Sequence, residues 1–145
     1  MHPALYAQDN GGPPSDQAFV ALRAAYRASG GVARGDDLAR TFWDHQRGDY
    51  VSLARLIVAR RIFSFRWNDS YWIPMFQFER GEPSVKPGLG QVLGELADVF
   101  DGWSLAAGFA HPSSWLGGLR PVDLMDSDLP LVRNAARANR FIATG

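Results

Sequence analysis

The sequence predicts a mainly helical α+β fold: a three-helix lobe with a β-hairpin, in the order of a winged helix-turn-helix, followed by a small helical unit. Three observations lead there. Apolar residues recur at helical spacing along most of the chain. Between Ile62 and Phe78 that period gives way to an aromatic and β-branched run, interrupted by the turn chemistry of Asn68-Asp69-Ser70. A proline-punctuated link, Glu82 to Gly88, then precedes a second set of helical patterns. At 145 residues the chain suits one domain, or two small lobes sharing a core.

Residues 1–14 hold a Gly-Gly-Pro-Pro cluster and few periodic apolar residues, so they are expected to form a flexible leader before a lobe spanning 15–82. Ser15 or Asp16 suits a helix cap. Phe19, Leu22, Ala25, Tyr26 and Ala28 follow at helical spacing until Gly30-Gly31 ends the pattern. A Val-Ala-Arg-Gly link leads to a second helix, capped by Asp36 or Asp37, with Leu38, Ala39, Phe42 and Trp43 on one side; Gly48 breaks it. A third helix is expected over Tyr50 to Arg61, facing inward through Leu53, Leu56 and Ile57. The hairpin then joins Ile62–Trp67 to Tyr71–Ile73 through a three-residue loop. Pro74 lacks a backbone N–H, which predicts an edge strand there or an interruption before Met75 to Phe78.

The second unit, residues 83–145, begins with a helix carrying Leu89, Val92, Leu93, Leu96, Val99 and Phe100, extending to about Asp101. Gly102 separates it from a helix with Trp103, Leu105, Ala106 and Phe109, which His111-Pro112 stops. After a Ser/Gly-rich turn, Pro121 suits a first helical turn, with Asp123 at its positive end and Val122, Leu124 and Met125 offering apolar surface. A last helix, Leu129 to Ile142, should face inward through Leu131, Val132, Ala135 and Ala136. It carries Arg133, Arg137 and Arg140 along one exposed stripe.

Composition narrows the function. Fifteen basic and fifteen acidic residues balance to zero, which argues against a general polyanion binder. Charge is uneven locally, however: between residues 51 and 80, Arg55, Arg60, Arg61, Arg66 and Arg80 outnumber Asp69 and Glu79. In a DNA-binding winged helix, Arg55, Arg60 and Arg61 would meet phosphates or guanines and Arg66 would reach the neighbouring groove; in a plain α+β lobe the same residues are a solvated face. With no cysteine there is no disulfide, thiolate metal site or cysteine nucleophile. The N-terminus lacks the pattern of a secretory signal and no apolar run nears the ~20 residues of a membrane span, so a cytoplasmic location without membrane contact is expected.

Catalytic constellations fail on inspection. His2, His45 and His111 form no metal-ligand pattern, Asp36-Asp37 reads as a cap, and Gly88-Leu89-Gly90 lacks a P-loop lysine. The chain is therefore expected to be neither an enzyme nor a holder of metal or cofactor. Most aromatic residues are best explained as core. Core is the favoured reading for Trp115 too, although its Ser/Gly-rich turn can leave a large ring exposed as a binding anchor.

Gly118, Pro121, Asp123, Leu124 and Met125 match G-x-x-P-x-[DE]-L-[LM], and Phe109, Pro112 and Leu116 precede them in register. This stretch resembles the toxin-binding domain of Xre/MbcA/ParS-type antitoxins, over roughly the last third of the chain. The resemblance implies a regulatory protein that neutralises a cognate toxin, often a RES-fold enzyme that consumes NAD. Trp115, Arg120, Asp123, Arg133, Arg137 and Arg140 would be its toxin contacts. It also implies an N-terminal domain that binds operator DNA or dimerises, although the usual all-helical form lacks a hairpin. A different class fits as an alternative: a winged-helix transcription regulator whose C-terminal unit only dimerises.

Overall fold

A computed structural model describes residues 14–80 and 82–145. The expected leader lies outside the described residues, except for Pro14. Helix α1 (Asp16–Tyr26) begins where Ser15 Oγ accepts a hydrogen bond from the Ala18 N–H at 3.1 Å, and it buries Phe19, Leu22 and Tyr26. A 3₁₀ turn over Arg27–Ser29 ends at Gly30, whose φ of 105° is one that glycine tolerates.

The Val-Ala-Arg-Gly link is not a plain connection. Val32–Arg34 forms a strand, β1, and helix α2 (Gly35–Asp44) starts directly after it. Arg34 occupies the cap position without a side-chain bond, so Asp36 and Asp37 lie in the first turn instead of capping. There their carboxylates still oppose the positive end of the helix. Leu38 and Phe42 face the core, four residues apart, whereas Trp43 points outward at 70 % exposure, contrary to its expected place on the inner side.

Gly48 does not end α2. The end is a Schellman motif, with Gln46 at φ 56°, its N–H donating to Trp43 O at 3.0 Å and the Arg47 N–H to Phe42 O at 2.8 Å. Asp49 then caps helix α3 (Tyr50–Val58) in a reciprocal capping box with Ser52. This helix stops short of the expected Arg61 through the same device. Arg60, at φ 58°, donates to Ile57 O and Arg61 to Leu56 O, both at 3.0 Å.

Strands β2 (Phe65–Trp67) and β3 (Ser70–Pro74) form the hairpin. Its loop has two residues, not three: Trp67 pairs with Ser70, and Asn68 and Asp69 both take the positive φ of a primed turn, 49° and 61°. The sheet is antiparallel in the order β1-β3-β2, so β3 is central: of the two outcomes expected at Pro74, the edge strand is overturned and the interruption before Met75 occurs. Pro74 is tolerated because it is the last residue of the strand, opposite Val32; the chain then turns through Met75–Gln77. Helix, strand, two helices and a hairpin joined by the first strand make this lobe winged-helix-like.

The C-terminal half contains α4 (Leu89–Leu96), α5 (Gly102–Ala110), a 3₁₀ turn at Ser114–Leu116, α6 (Pro121–Leu124) and α7 (Leu129–Thr144). The first is shorter than its apolar pattern, which continues through the turn that buries Phe100. Gly102 is the first residue of α5 rather than a spacer. A Cβ there would run into the Ser64 carbonyl oxygen and the backbone of Phe65, so only glycine lets α5 rest on β2. Asp128 caps α7 and Pro130 sits in its first turn, where its missing N–H costs nothing, so the helix starts at the expected residue. Val132, Ala135, Ala136 and Asn139 form its buried stripe. Leu131, one residue out of phase, is exposed, contrary to expectation.

One apolar core runs through both halves. The Tyr26 hydroxyl of α1 donates to Ala106 O of α5 at 2.6 Å, and Phe63 stacks on Phe109 at 5.4 Å. Gln77 is fully buried at the centre of this junction. Its Oε1 accepts from the Phe63 N–H at 2.8 Å while Nε2 donates to the carbonyls of Phe63 and Pro74, each at 3.0 Å.

Candidate partner-binding site

The corner between α5 and α6 displays its side chains for local reasons. The Ser113 N–H donates to Leu119 O at 2.9 Å and the Gly118 N–H donates to Ser113 O at 2.8 Å, closing residues 113–119 into a loop. Gly117 and Gly118 take φ of 65° and 87°, which explains glycine at the head of the motif. Pro121 opens α6, while Val122 and Met125 are buried beneath it. The loop leaves Trp115 45 % exposed, with Leu119 also in solvent.

Arg120 and Asp123 are engaged within the chain. Arg120 grips both carboxylate oxygens of Asp123, through Nε at 2.8 Å and Nη2 at 2.9 Å, and its Nη1 donates to Ala25 O at the end of α1 at 2.8 Å. Such a bidentate pair is rigid and directional. The Asp123 carboxylate holds the Arg120 guanidinium above its usual pKa. The pair therefore clamps the corner to the N-terminal lobe.

The expected arginine stripe on α7 is not a row of open cations. Arg140 grips Asp98 through Nη1 at 2.6 Å and Nη2 at 3.2 Å, and also donates to Glu95 O at 3.1 Å. Arg137 reaches Glu95 Oε1 at 3.4 Å, and Arg133 is half-buried. The stripe is turned toward α4 and the turn after it, where Glu95 and Asp98 meet it; sequence spacing along α7 could not reveal that. The Arg140 hydrogen bond holds the Asp98 carboxyl below the usual aspartate range, and the more distant charge of Arg60 adds to the shift. Surface missed in the sequence takes the stripe's place: Phe141 is 73 % exposed, and Ile142 and Leu131 are exposed as well.

The four arginines expected at DNA are divided. Arg55 lies on the outer face of α3, Arg60 and Arg61 belong to the turn that ends it, and Arg66 on β2 lies over the Tyr71 ring at 5.3 Å. Between the lobes a cleft of ≈ 780 Å³ is lined by Glu79, Arg80, Glu82, Lys86, Asp123 and Asp126 over Phe76 and Phe78. Lys86 pairs with Asp126 at 3.0 Å and Asp123 with Arg120, so three of these six charged groups are engaged in ion pairs. Leu129 covers Gly88 at the start of α4, the place where an anion could have met helix amides. Among the described residues no cluster of His, Asp or Glu could hold a metal ion, and no helix is long and apolar enough to cross a membrane.

Comparison with protein-family models, with curated proteins and with solved structures found no match for this chain.

Proposed function

We propose that this protein is an antitoxin-like regulator that binds and neutralises a cognate toxin through its C-terminal helical lobe. The observation that carries the reading is the exposed apolar set Trp115, Leu119, Leu131, Phe141 and Ile142, on the lobe that bears the antitoxin-like motif. Contiguous apolar surface marks interaction sites, unlike singly scattered apolar side chains, and α7, which bears Leu131, Phe141 and Ile142, contacts the 3₁₀ turn that bears Trp115. Large aromatic residues such as Trp115 and Phe141 supply binding energy when a partner desolvates them. Asp123 and Arg120 would preform the corner, and Arg137 and Arg140 would hold α7 in place. The toxin class implied by the resemblance is a RES-type enzyme that consumes NAD.

The test is co-expression with the toxin-like product of an adjacent reading frame, reading co-purification and NAD consumption. Phe141→Asp combined with Ile142→Asp leaves the Arg140–Asp98 pair intact. It is expected to abolish capture and release the toxin's activity. Unchanged capture and neutralisation by this double variant would count against the reading.

A second reading, a winged-helix transcription regulator, is favoured by one observation: β1 completes the sheet behind the hairpin. A gel shift on the protein's own promoter at two salt concentrations tests it. Salt-sensitive, sequence-specific binding that Arg55→Ala and Arg66→Ala weaken, with no toxin partner, supports the regulator.

A further inference from the structure

Strand β1 pairs with β3 along one edge and leaves the other bare. The Met75 N–H donates to Gly31 O at 2.9 Å, one step before Val32 stands opposite Pro74. Because bonded and non-bonded pairs alternate along an antiparallel ladder, the next residue of β1 bonded to β3 is Ala33. The N–H and C=O of Val32 and the N–H of Arg34 therefore point away from the sheet. Pro74, which has no N–H to give, fits this register at a non-bonded pair.

The bare edge borders a hollow of ≈ 440 Å³ between α1 and β1, whose apolar lining includes Val20, Ala24, Val32 and Met75. Its charged lining residues are Arg23 and Arg27, both exposed. Asp16 at the start of α1 and Asp36 and Asp37 at the start of α2 do not line it. Among the described residues neither arginine has a carboxylate partner. Arg23 is held by rings instead: its guanidinium carbon lies 5.7 Å from the centroid of Phe19 and 5.9 Å from that of Trp72. A guanidinium over a ring face keeps its in-plane N–H donors for another acceptor. We propose that this edge binds an extended acidic segment of a partner protein, which joins the sheet as a further strand beside β1.

Backbone and side chains select that occupant together. A segment antiparallel to β1 would exchange two hydrogen bonds with Val32 and accept a third from the Arg34 N–H. Side chains opposite one another share a face of the sheet. Arg34 stands opposite Trp72, whose ring meets Phe19 of α1, so Arg34 and Val32 both lie on the α1 face. The incoming residue opposite Val32, and those two positions from it, would then project toward Arg23 and Arg27. Carboxylates at alternate positions match this surface. A phosphate backbone accepts hydrogen bonds and donates none, so it would cover the Val32 carbonyl without satisfying it. A second copy paired through the same edge would bring the Arg23 and Arg27 of both chains together on one face of the continued sheet, like charge against like.

The test uses the purified full chain without any toxin, so its outcome is independent of toxin capture. The probe is a capped hexapeptide alternating glutamate with threonine, titrated while the backbone amide NMR signals of the protein are followed. Saturable binding is expected, with the largest shifts at Val32 and Arg34. Arg27→Glu should weaken it, and Arg23→Glu combined with Arg27→Glu should raise the dissociation constant at least about tenfold. Two changes to the probe act on the unaltered chain, so they decide the question even where a variant loses its fold. N-methylation of the glutamate amides should abolish binding with every carboxylate in place, and a lysine–threonine hexapeptide should not bind. The proposal is overturned by an absence of saturable binding, by shifts centred away from β1, or by binding indifferent to Arg27→Glu, to N-methylation or to the sign of the peptide's charge. Displacement of the peptide by a thymidylate hexanucleotide also overturns it and gives the hollow to nucleic acid.

Discussion

At the scale of single residues, Gln77 shows what a sequence pattern hides. It lies in an aromatic run whose neighbours Phe76 and Phe78 are plainly core, and its own polarity suggests a solvent-facing position. It is buried because three backbone groups of the segment before β2 and the end of β3 need partners there, and one amide side chain satisfies all three. Gln77→Leu keeps the volume and strands those groups. It is expected to cost roughly 3 kcal/mol or more, read as a lower midpoint in urea denaturation; an unchanged midpoint would remove Gln77 from this role. Trp115 behaves differently. Core is the favoured place for such a ring, yet it is 45 % exposed, because a loop closed within seven residues has no interior to hold an indole.

At the scale of elements, the helices were legible where capping and period agreed, as at Ser15 for α1. The ends of α2 and α3 were not. Both close through Schellman turns with Gln46 and Arg60 in the left-handed position where glycine is the usual signal. Strand β1 was invisible for another reason: three residues carry no period, and only pairing with β3 makes them a strand. Gly102 carries a structural demand that its place at a helix start conceals. Gly102→Ala pushes a methyl group into the Ser64 carbonyl and is expected to destabilise the fold by about 1–3 kcal/mol, through separation of α5 from β2. Equilibrium denaturation with Trp103 fluorescence as the probe checks this, since its indole N–H donates to Arg66 O on β2 at 2.6 Å.

At the scale of the whole molecule, Arg140–Asp98 and Arg137–Glu95 dock α7 on α4, and the candidate toxin-binding face depends on that docking. Asp98 has a lower pKa folded than unfolded, so its contribution is complete above the unfolded value, about 3.9, and fades as pH falls through the folded value. The difference in melting temperature between the wild type and Asp98→Asn should therefore be largest near neutrality and shrink below about pH 4. It should also shrink in high salt, because the pair is partly exposed. A difference independent of both would remove the pair from the docking of α7. By itself the sequence determined the α+β class, the helix–helix–hairpin order and the glycine and proline of the corner, because these follow from local φ preferences, capping and short-range period. Only the tertiary structure decided that β3 is central and that Arg120, Arg137 and Arg140 are held within the chain. It alone set Val51, Ala54 and Val58 in solvent. Those outcomes depend on which distant residues meet, such as Asp98 with Arg140 or Ala25 with Arg120, and spacing along one element carries no record of its partner.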